Sequence, residues 1–462
     1  MKRHISILLA LLMLFALVAG CSPAAPKATS GGDAKSGEST TYDLRVMLRT
    51  EETRVENIEA AAAIVQEKLR AAGEDVTINI TRDRLDGTAE DFRNAFSLQY
   101  KSKACAQILI QAYDACAFFA EAGYLRELSD IRNSPAYADV YESLWPAAEY
   151  KGGTYGIIQD IDARVVWYVK EHLANAGVDE AQQAKISDDI IAGNFTMDDL
   201  IALAIKVKEA NPDAPHHLHH RPRPGPDLSA MFPTHFGAQM FDEASGNLVV
   251  DKAAMLKTLQ FYDDLVRKYD LMPAEMTAIT WEEIEGDLWP NQKVSMWFGG
   301  IWNKGDMINA GGVEPGYVDE NYGQFLIPAA TKGGKPMTMS NPWVYMVPNT
   351  VTEDEYRIIK MILEEVAEPE IQINHSLNTA HLAINERTAN YDAYKEDVFL
   401  SRLTYMLDYT TMAPAHTKWA LYDEGWYNIL QAVEMGKMTP EEGLDNFIKT
   451  IQNDLGDQVI VK

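Results

Sequence analysis

Between Tyr42 and Gly123 short apolar strands alternate with helices, without a sequence repeat. Tyr42–Leu48 alternates and carries Val and Leu, the mark of a first strand. From Glu52 to Ala72, the residues Ile58, Ala62, Val65 and Leu69 share one helical face, and Gly73 supplies the left-handed cap that ends the helix. Val76–Ile80 reads as a second strand, residues 89–100 as a second helix, Gln107–Ile110 as a third strand and Ala115–Ala122 as a third helix stopped by Gly123. Strands alternating with helices specify a parallel α/β sheet covered on both faces. At 462 residues the chain is too long for one ordinary core, so two lobes are expected. With 47% hydrophobic and 24% charged residues, it is neither a disordered chain nor a polytopic membrane protein. A formal net charge of −27 makes nucleic acid and anionic lipid headgroups poor partners for the bulk surface, leaving neutral or cationic ligands open.

The pattern continues downstream. Residues 151–158 form a turn feeding a strand, Arg164–Val169 a further strand, and Thr196-Met197-Asp198-Asp199 a capping box ahead of a helix over 198–210. A Pro- and His-rich loop is expected over 211–226 and a long helix over 252–270. Lys293–Phe298 reads as a strand leading into Gly299-Gly300-Ile301-Trp302, and Tyr322–Pro328 and Trp343–Val347 as two more strands. The rest is mostly helical.

The N-terminus has a character of its own. A basic start, Met1 to His4, precedes an apolar run from Ile5 to Val18. That run is shorter than the roughly 20 residues a membrane span needs, so it reads as a secretory signal over residues 1–20. It ends in Leu17-Val18-Ala19-Gly20-Cys21, which resembles the lipobox of bacterial lipoproteins and implies a diacylglycerol thioether on Cys21. Residues 22–41 carry no aromatic and no branched apolar side chain, the composition of a tether. The expectation is an extracytoplasmic body, lipid-anchored through Cys21 to the outer face of the cell membrane.

Four stretches, in order, carry a family resemblance. Gln107–Leu125 resembles a strand, ligand loop and helix closing on an "aG.l" pattern; Gly153–Lys170 resembles a hinge strand leading to a second strand and helix. Gln292–Trp302 resembles a "GkvAM...G.W" stretch, and Gly436–Asn446 the segment before a last helix. Ala106-Gln107 and Asn291-Gln292 depart from the usual Pro-Asp and Gly at those points. Together these stretches resemble the family 1 extracellular solute-binding proteins, the sugar-binding components of ABC importers. The resemblance implies a two-lobe periplasmic-binding-protein-like fold with hinge strands and a cleft. It implies lobes of about 42–156 plus 326–372 and 157–325 plus 373–462. It also implies a monomer that captures a carbohydrate, an oligosaccharide above all, by closing its lobes and hands it to the permease subunits of an ABC transporter. Such a protein needs no catalytic residue, cofactor or metal. The alternatives are a secreted carbohydrate-active enzyme and a metal-binding surface lipoprotein. The sequence contains no G-x-S-x-G, H-E-x-x-H, P-loop or Rossmann glycine pattern.

A sugar presents hydroxyls to planar polar side chains and C–H faces to aromatic rings. Asp114, just after the third strand at a carboxyl end, is the first candidate ligand residue; capping the following helix is its other reading. Trp302, behind two glycines, is the candidate for stacking on a sugar ring, with Trp343 and Trp419 as further rings. Asp160, Asp162 and Arg164 after the hinge strand, and Arg49 and Glu51 after the first strand, are candidates for the polar side. His216-His217-Leu218-His219-His220 could share a metal at four-residue spacing. Flanking Pro215 and Pro222 and the nearby Arg221 and Arg223 oppose that, so a solvated loop is expected, with a contact to ligand at a lobe edge as the other option. Cys105 and Cys116, separated by a strand, are expected to be free buried thiols.

Overall fold

The computed structural model describes residues 39–49 and 52–462. The signal peptide, Cys21, the tether up to Glu38 and Glu51 lie outside the described residues; Thr40 and Thr41, expected at the end of the tether, already belong to the first strand.

Two separate sheets organise the chain. The first is built by β1 (Thr40–Leu48), β2 (Val76–Arg84), β3 (Ile108–Ala112), β4 (Ile157–Asp160) and, from far downstream, β8 (Trp343–Met346). Its order is β2-β1-β3-β8-β4. β1 pairs parallel with β2 and β3, as the strand–helix alternation requires, whereas β8 runs antiparallel to both its neighbours. Every residue of β3 and β4 is buried, which is why neither shows a two-residue alternation. Helices α1 (Glu52–Ala71), α2 (Ala89–Lys101) and α3 (Asp114–Glu121) make the connections.

The second sheet takes β5 (Arg164–Val169) as its centre, between β6 (Met296–Gly300) and β7 (Tyr322–Phe325), all antiparallel. The capping box holds: Thr196 Oγ1 accepts from the Asp199 N–H and Asp199 accepts from the Thr196 N–H at 2.8 Å, starting α4 (Met197–Ala210). α5 (Lys252–Arg267) packs with two late helices, while α6 (Asn303–Asn309) follows Trp302. α7 (Glu353–Val366) and α8 (Pro369–Thr379) return to pack on α1, and α9 (Trp419–Glu434) and α10 (Pro440–Leu455) pack on α5. The C-terminus is pinned by Val459–Val461, parallel to Asn247–Val250. The chain passes from the first sheet to the second within residues 161–163 and returns between Phe325 and Trp343. Ile161 bridges Leu382, so a segment after α8 runs beside the first passage.

The histidine run is not a solvated loop. His216 bridges Val294 and His219 bridges Trp297, laying the segment along the outer edge of β6. His217, His219 and His220 are buried, and His220 Nε2 pairs with Glu434 of α9 at 2.6 Å. The prolines on either side permit this extended course, and a fully buried carboxylate supplies a partner that local sequence does not show. The two cysteines are free among the described residues. Cys116 is buried and its thiol is pushed up to about 12 by burial, whereas Cys105 is only half-buried, with Sγ 3.2 Å from Thr350 Oγ1.

A ladder of rings runs through the second sheet. Trp289 stacks on Trp297 (5.0 Å), Trp297 on Trp167 (5.5 Å) and Trp167 on Phe399 (5.8 Å). Trp167 Nε1 also donates to the Gly300 carbonyl at 2.8 Å, so the buried indole leaves no polar atom unpaired. Trp167→Ala is therefore expected to cost about 3–5 kcal/mol of stability through lost contacts and a cavity. Denaturant unfolding followed by circular dichroism checks this; a loss below about 1 kcal/mol would mean that the ladder contributes little.

Candidate ligand-binding site

The carboxyl ends of β1 and β3 face the same side of the first sheet, and each releases a charged residue there. Arg49 follows β1, and Asp114 opens α3 two residues after β3. Asp114 does not cap its helix, whose cap residue is Tyr113 without a side-chain bond. Its carboxylate instead accepts from Arg93 of α2 at 3.1 Å, with 21% of the side chain exposed. Burial pushes the Asp114 carboxyl above its ordinary value, against the opposing pull of Arg93 and Arg49. Arg49 donates to the Gly87 carbonyl at 3.3 Å, and its buried Nε has no hydrogen-bond partner among the described residues.

Trp343 is the first residue of β8 and is buried. The guanidinium of Arg54 covers its ring at 4.1 Å, and that of Arg49 lies at 5.8 Å. One of its faces is thus taken by protein cations. Arg54 also donates to Asp160 at 2.6 Å, and both side chains are 2% exposed. Burial alone would raise the Asp160 carboxyl, but Arg54, with His381 and His375, holds it well below the usual carboxylate range.

From the second sheet comes Arg164, first residue of β5, which pairs with Asp162 and lies 4.6 Å from the Trp302 ring. Asp162 also accepts the Asn341 N–H at 2.8 Å, and burial pushes its carboxyl up to about 6 against the pull of Arg164. Trp302 is half-buried and folds back onto the glycine turn: a Cβ on Gly300 would stand 1.7 Å from its ring. Gly300 is thus required by the indole itself, whereas a Cβ on Gly299 would meet Asn303 Oδ1 at 2.2 Å and the Trp297 ring at 2.7 Å. Trp419, by contrast, is buried at the start of α9 and stacks on Tyr422 at 5.3 Å, a position inside the helical core.

Several members of the cluster carry no local sequence signal. Arg221 and Asp227 flank Gly225 and pair at 3.1 Å. Asp423 of α9 accepts a hydrogen bond from Ser229, and burial pushes its carboxyl up to about 7. The charges of Arg221 and Asp114 both act on Asp423, and the charge of Arg221 acts on Arg49. Residues carried by the two sheets therefore meet. The structure brings together Arg49, Asp114, Trp343, Asp160, Asp162, Arg164 and Trp302 around the passage between sheets, and leaves Trp419 out. A separate cavity of about 400 Å³, lined by Lys68, Ser134, Glu364, Glu365 and Arg387, contains none of them.

Asp160, His375 and His381 have donor atoms within 4.8 Å of one another. The set does not fit a metal. Asp160 Oδ2 already receives Arg54 and His375 Nε2 (2.9 Å), and His375 Nδ1 bonds the Thr53 hydroxyl at 2.7 Å. A cation there would sit against a guanidinium.

Asp423 gives the cluster a pH dependence. Its folded pKa lies above the ordinary Asp value, so its contribution to stability is present at low pH and lost as pH rises through about 7. Asp423→Asn is expected to narrow the gap in melting temperature between pH 5 and pH 8. Differential scanning calorimetry at both pH values reads this; an unchanged gap would place the titration elsewhere.

Solved structures share this architecture. Maltose-bound T. maritima MalE3 superposes with a TM-score of 0.71 at 16% identity, covering 89% of this chain and 99% of that one. The GacH receptor of Streptomyces glaucescens, described unliganded and with acarbose, gives 0.71 at 16% identity over 91% and 100%. An ABC substrate-binding protein of Listeria monocytogenes in complex with cycloalternan gives 0.70 at 16% identity over 91% and 100%. These likenesses show the two-lobe α/β fold of periplasmic binding proteins. A search of curated proteins found no match. The family model for bacterial extracellular solute-binding proteins matches residues 55–360. That match runs from α1 into α7 and takes in the whole second sheet and both passages between sheets, so the chain belongs to the bacterial extracellular solute-binding proteins, a family of binders rather than enzymes.

Proposed function

We propose that this chain is the substrate-capturing component of a carbohydrate ABC importer, holding an oligosaccharide between two lobes that close on it and delivering it to membrane permease subunits. The observation that carries this reading is the approach of Arg221, from the loop beside β6, and Asp423, from α9, to Arg49 and Asp114 at the strand ends of the first sheet, with the half-buried Trp302 ring beside Arg164. Charged planar groups and an aromatic ring on facing surfaces suit a ligand with a hydroxyl edge and an apolar face. The sugar-bound state of the neighbours named above supports it. The short passage over residues 161–163 and the return before Trp343 act as the hinge, and the lobes take up the sheets on either side. Cys21 is the lipid attachment point that keeps the body at the outer membrane face.

Titration calorimetry against an oligosaccharide panel, paired with small-angle scattering, tests capture and closure. A bound sugar should reduce the radius of gyration; binding at an unchanged radius would count against the hinge. Asp114→Ala should weaken binding about ten- to a hundredfold by removing charge-assisted hydrogen bonds. Trp302→Ala should cost a similar factor and Trp302→Phe less, with the melting temperature held. If Trp302→Ala melts far lower yet binds normally, the ring is structural. For the anchor, fractionation of cells carrying Cys21→Ser should move the protein out of the membrane fraction, and equal retention of a cleaved form would exclude lipidation at that thiol.

A further inference from the structure

The interlobe face is cationic in a chain whose formal net charge is −27. Arg49 and Arg93 stand on the side of the first sheet, Arg221 and Arg223 on the side of the second. Facing them are Asp114, shared with Arg93, Asp227, shared with Arg221, and Asp423, whose carboxyl burial pushes up to about 7. The charge of Arg49 reaches Arg223 as well, so three guanidiniums from opposite sides act on one another; among the described residues Arg49 shares Asp114 with Arg93, and Asp306 and Glu285 pull on Arg223. The Nε atoms of Arg49 and Arg221 are both buried and have no hydrogen-bond partner among the described residues.

Such an arrangement is built rather than incidental. Arg221-Pro222-Arg223-Pro224-Gly225-Pro226 fixes the backbone of the second pair with three prolines. Gly225 leaves room for the Arg221 guanidinium, since a Cβ there would lie 2.7 Å from its Nη1. Arg223 rests over the Trp281 ring at 4.2 Å, with Asp306 and Glu285 acting on its charge. Like charges brought together by two lobes oppose closure, and unpaired buried donors add a desolvation cost. An anionic group placed between them removes both penalties at once.

We infer that the ligand is an acidic carbohydrate, a sugar bearing a carboxylate or an ester sulfate, whose anionic group docks between Arg49 and Arg221 and licenses closure of the lobes. The inference rests on the carbohydrate-capture reading and names the chemical class within it. Asp114 and Asp423 then accept hydroxyls of the same ligand, so that acid and alcohol groups are sorted onto different side chains. The acidic exterior does not contradict this: bulk charge repels anions at long range under low salt, while the focused positive cleft captures them at contact.

Calorimetric titration and thermal shift of the full chain test it with three probe sets: galacturonate oligomers of one to three units, the matched neutral galactose oligomers, and a sulfated disaccharide. Inorganic sulfate and phosphate serve as sugar-free controls. Binding of an acidic sugar at least tenfold tighter than its neutral match supports the inference, and the carboxylate and sulfate arms tell the two acid groups apart. Arg49→Gln should reduce that binding about ten- to a hundredfold while the melting temperature of the unliganded protein is held or rises, because a crowded charge is gone; Arg221→Lys, which keeps a cation beside Asp227 but loses the planar fork, should also weaken it with the fold intact. Affinity should also fall with added salt. Equal or tighter binding of neutral oligomers overturns the inference and leaves sugar capture standing. Binding of inorganic sulfate or phosphate as tight as that of the acidic sugars overturns the carbohydrate part. No response to any sugar in the set overturns the inference, and a silent wider neutral panel brings down sugar capture with it.

Discussion

The buried pair of Arg54 and Asp160 is the contact on which the two-sheet arrangement turns. Asp160 ends β4 and lies one residue before the passage into the second sheet; Arg54 sits in the first turn of α1. Their 2.6 Å contact is almost fully excluded from water, and His375 of α8 joins at 2.9 Å. Three elements far apart in the chain are thereby fixed at the root of the hinge. A buried ion pair of this kind contributes little net stability against an apolar replacement, but removing one partner leaves an uncompensated charge and is severely destabilising. Its consequence here is positional. The Arg54 guanidinium lies over the Trp343 ring at 4.1 Å, so the pair also sets the wall from which the first sheet meets the second.

From that root, the polar groups divide into two kinds. Asp160 and Asp162 pair with the protein's own arginines, Arg54 and Arg164, and serve the frame, although Asp160 Oδ1, Arg54 Nη1 and Arg164 Nε are also left without a hydrogen-bond partner among the described residues. Arg49, Arg221 and Asp423 keep unfilled capacity: two unpaired Nε atoms and a carboxyl raised to about 7. A residue that is buried, charged and incompletely paired is held at a cost, and such residues gather at sites that meet a ligand. The same division separates the aromatic rings. The ladder from Trp289 to Phe399 and the Trp419–Tyr422 stack are internal, whereas Trp302 stays half-buried beside Arg164.

Periodicity, caps and composition were legible along the chain because each depends on neighbours within a few residues. The strands and helices from Thr40 to Glu121, the capping box at Thr196 and the two unpaired cysteines follow from local spacing, with ends shifted by a residue or a few. Local spacing also placed Asp114 and Arg49 at strand ends. The histidine run misled because its residues are polar and flanked by prolines, while its burial depends on β6 and on Glu434, 214 positions from His220.

What the chain order alone determined is the α/β class, the doubling into two bodies and the candidates at strand ends, since apolar pattern and length act locally and additively. Tertiary structure decided which charges remain unspent. Arg93 reaches Asp114 across 21 positions and Ser229 reaches Asp423 across 194, and no periodicity encodes such pairings. They depend on how two sheets pack around one passage, and in a low-dielectric interior that placement separates a carboxylate held low by an arginine, Asp160, from one that burial raises, Asp423.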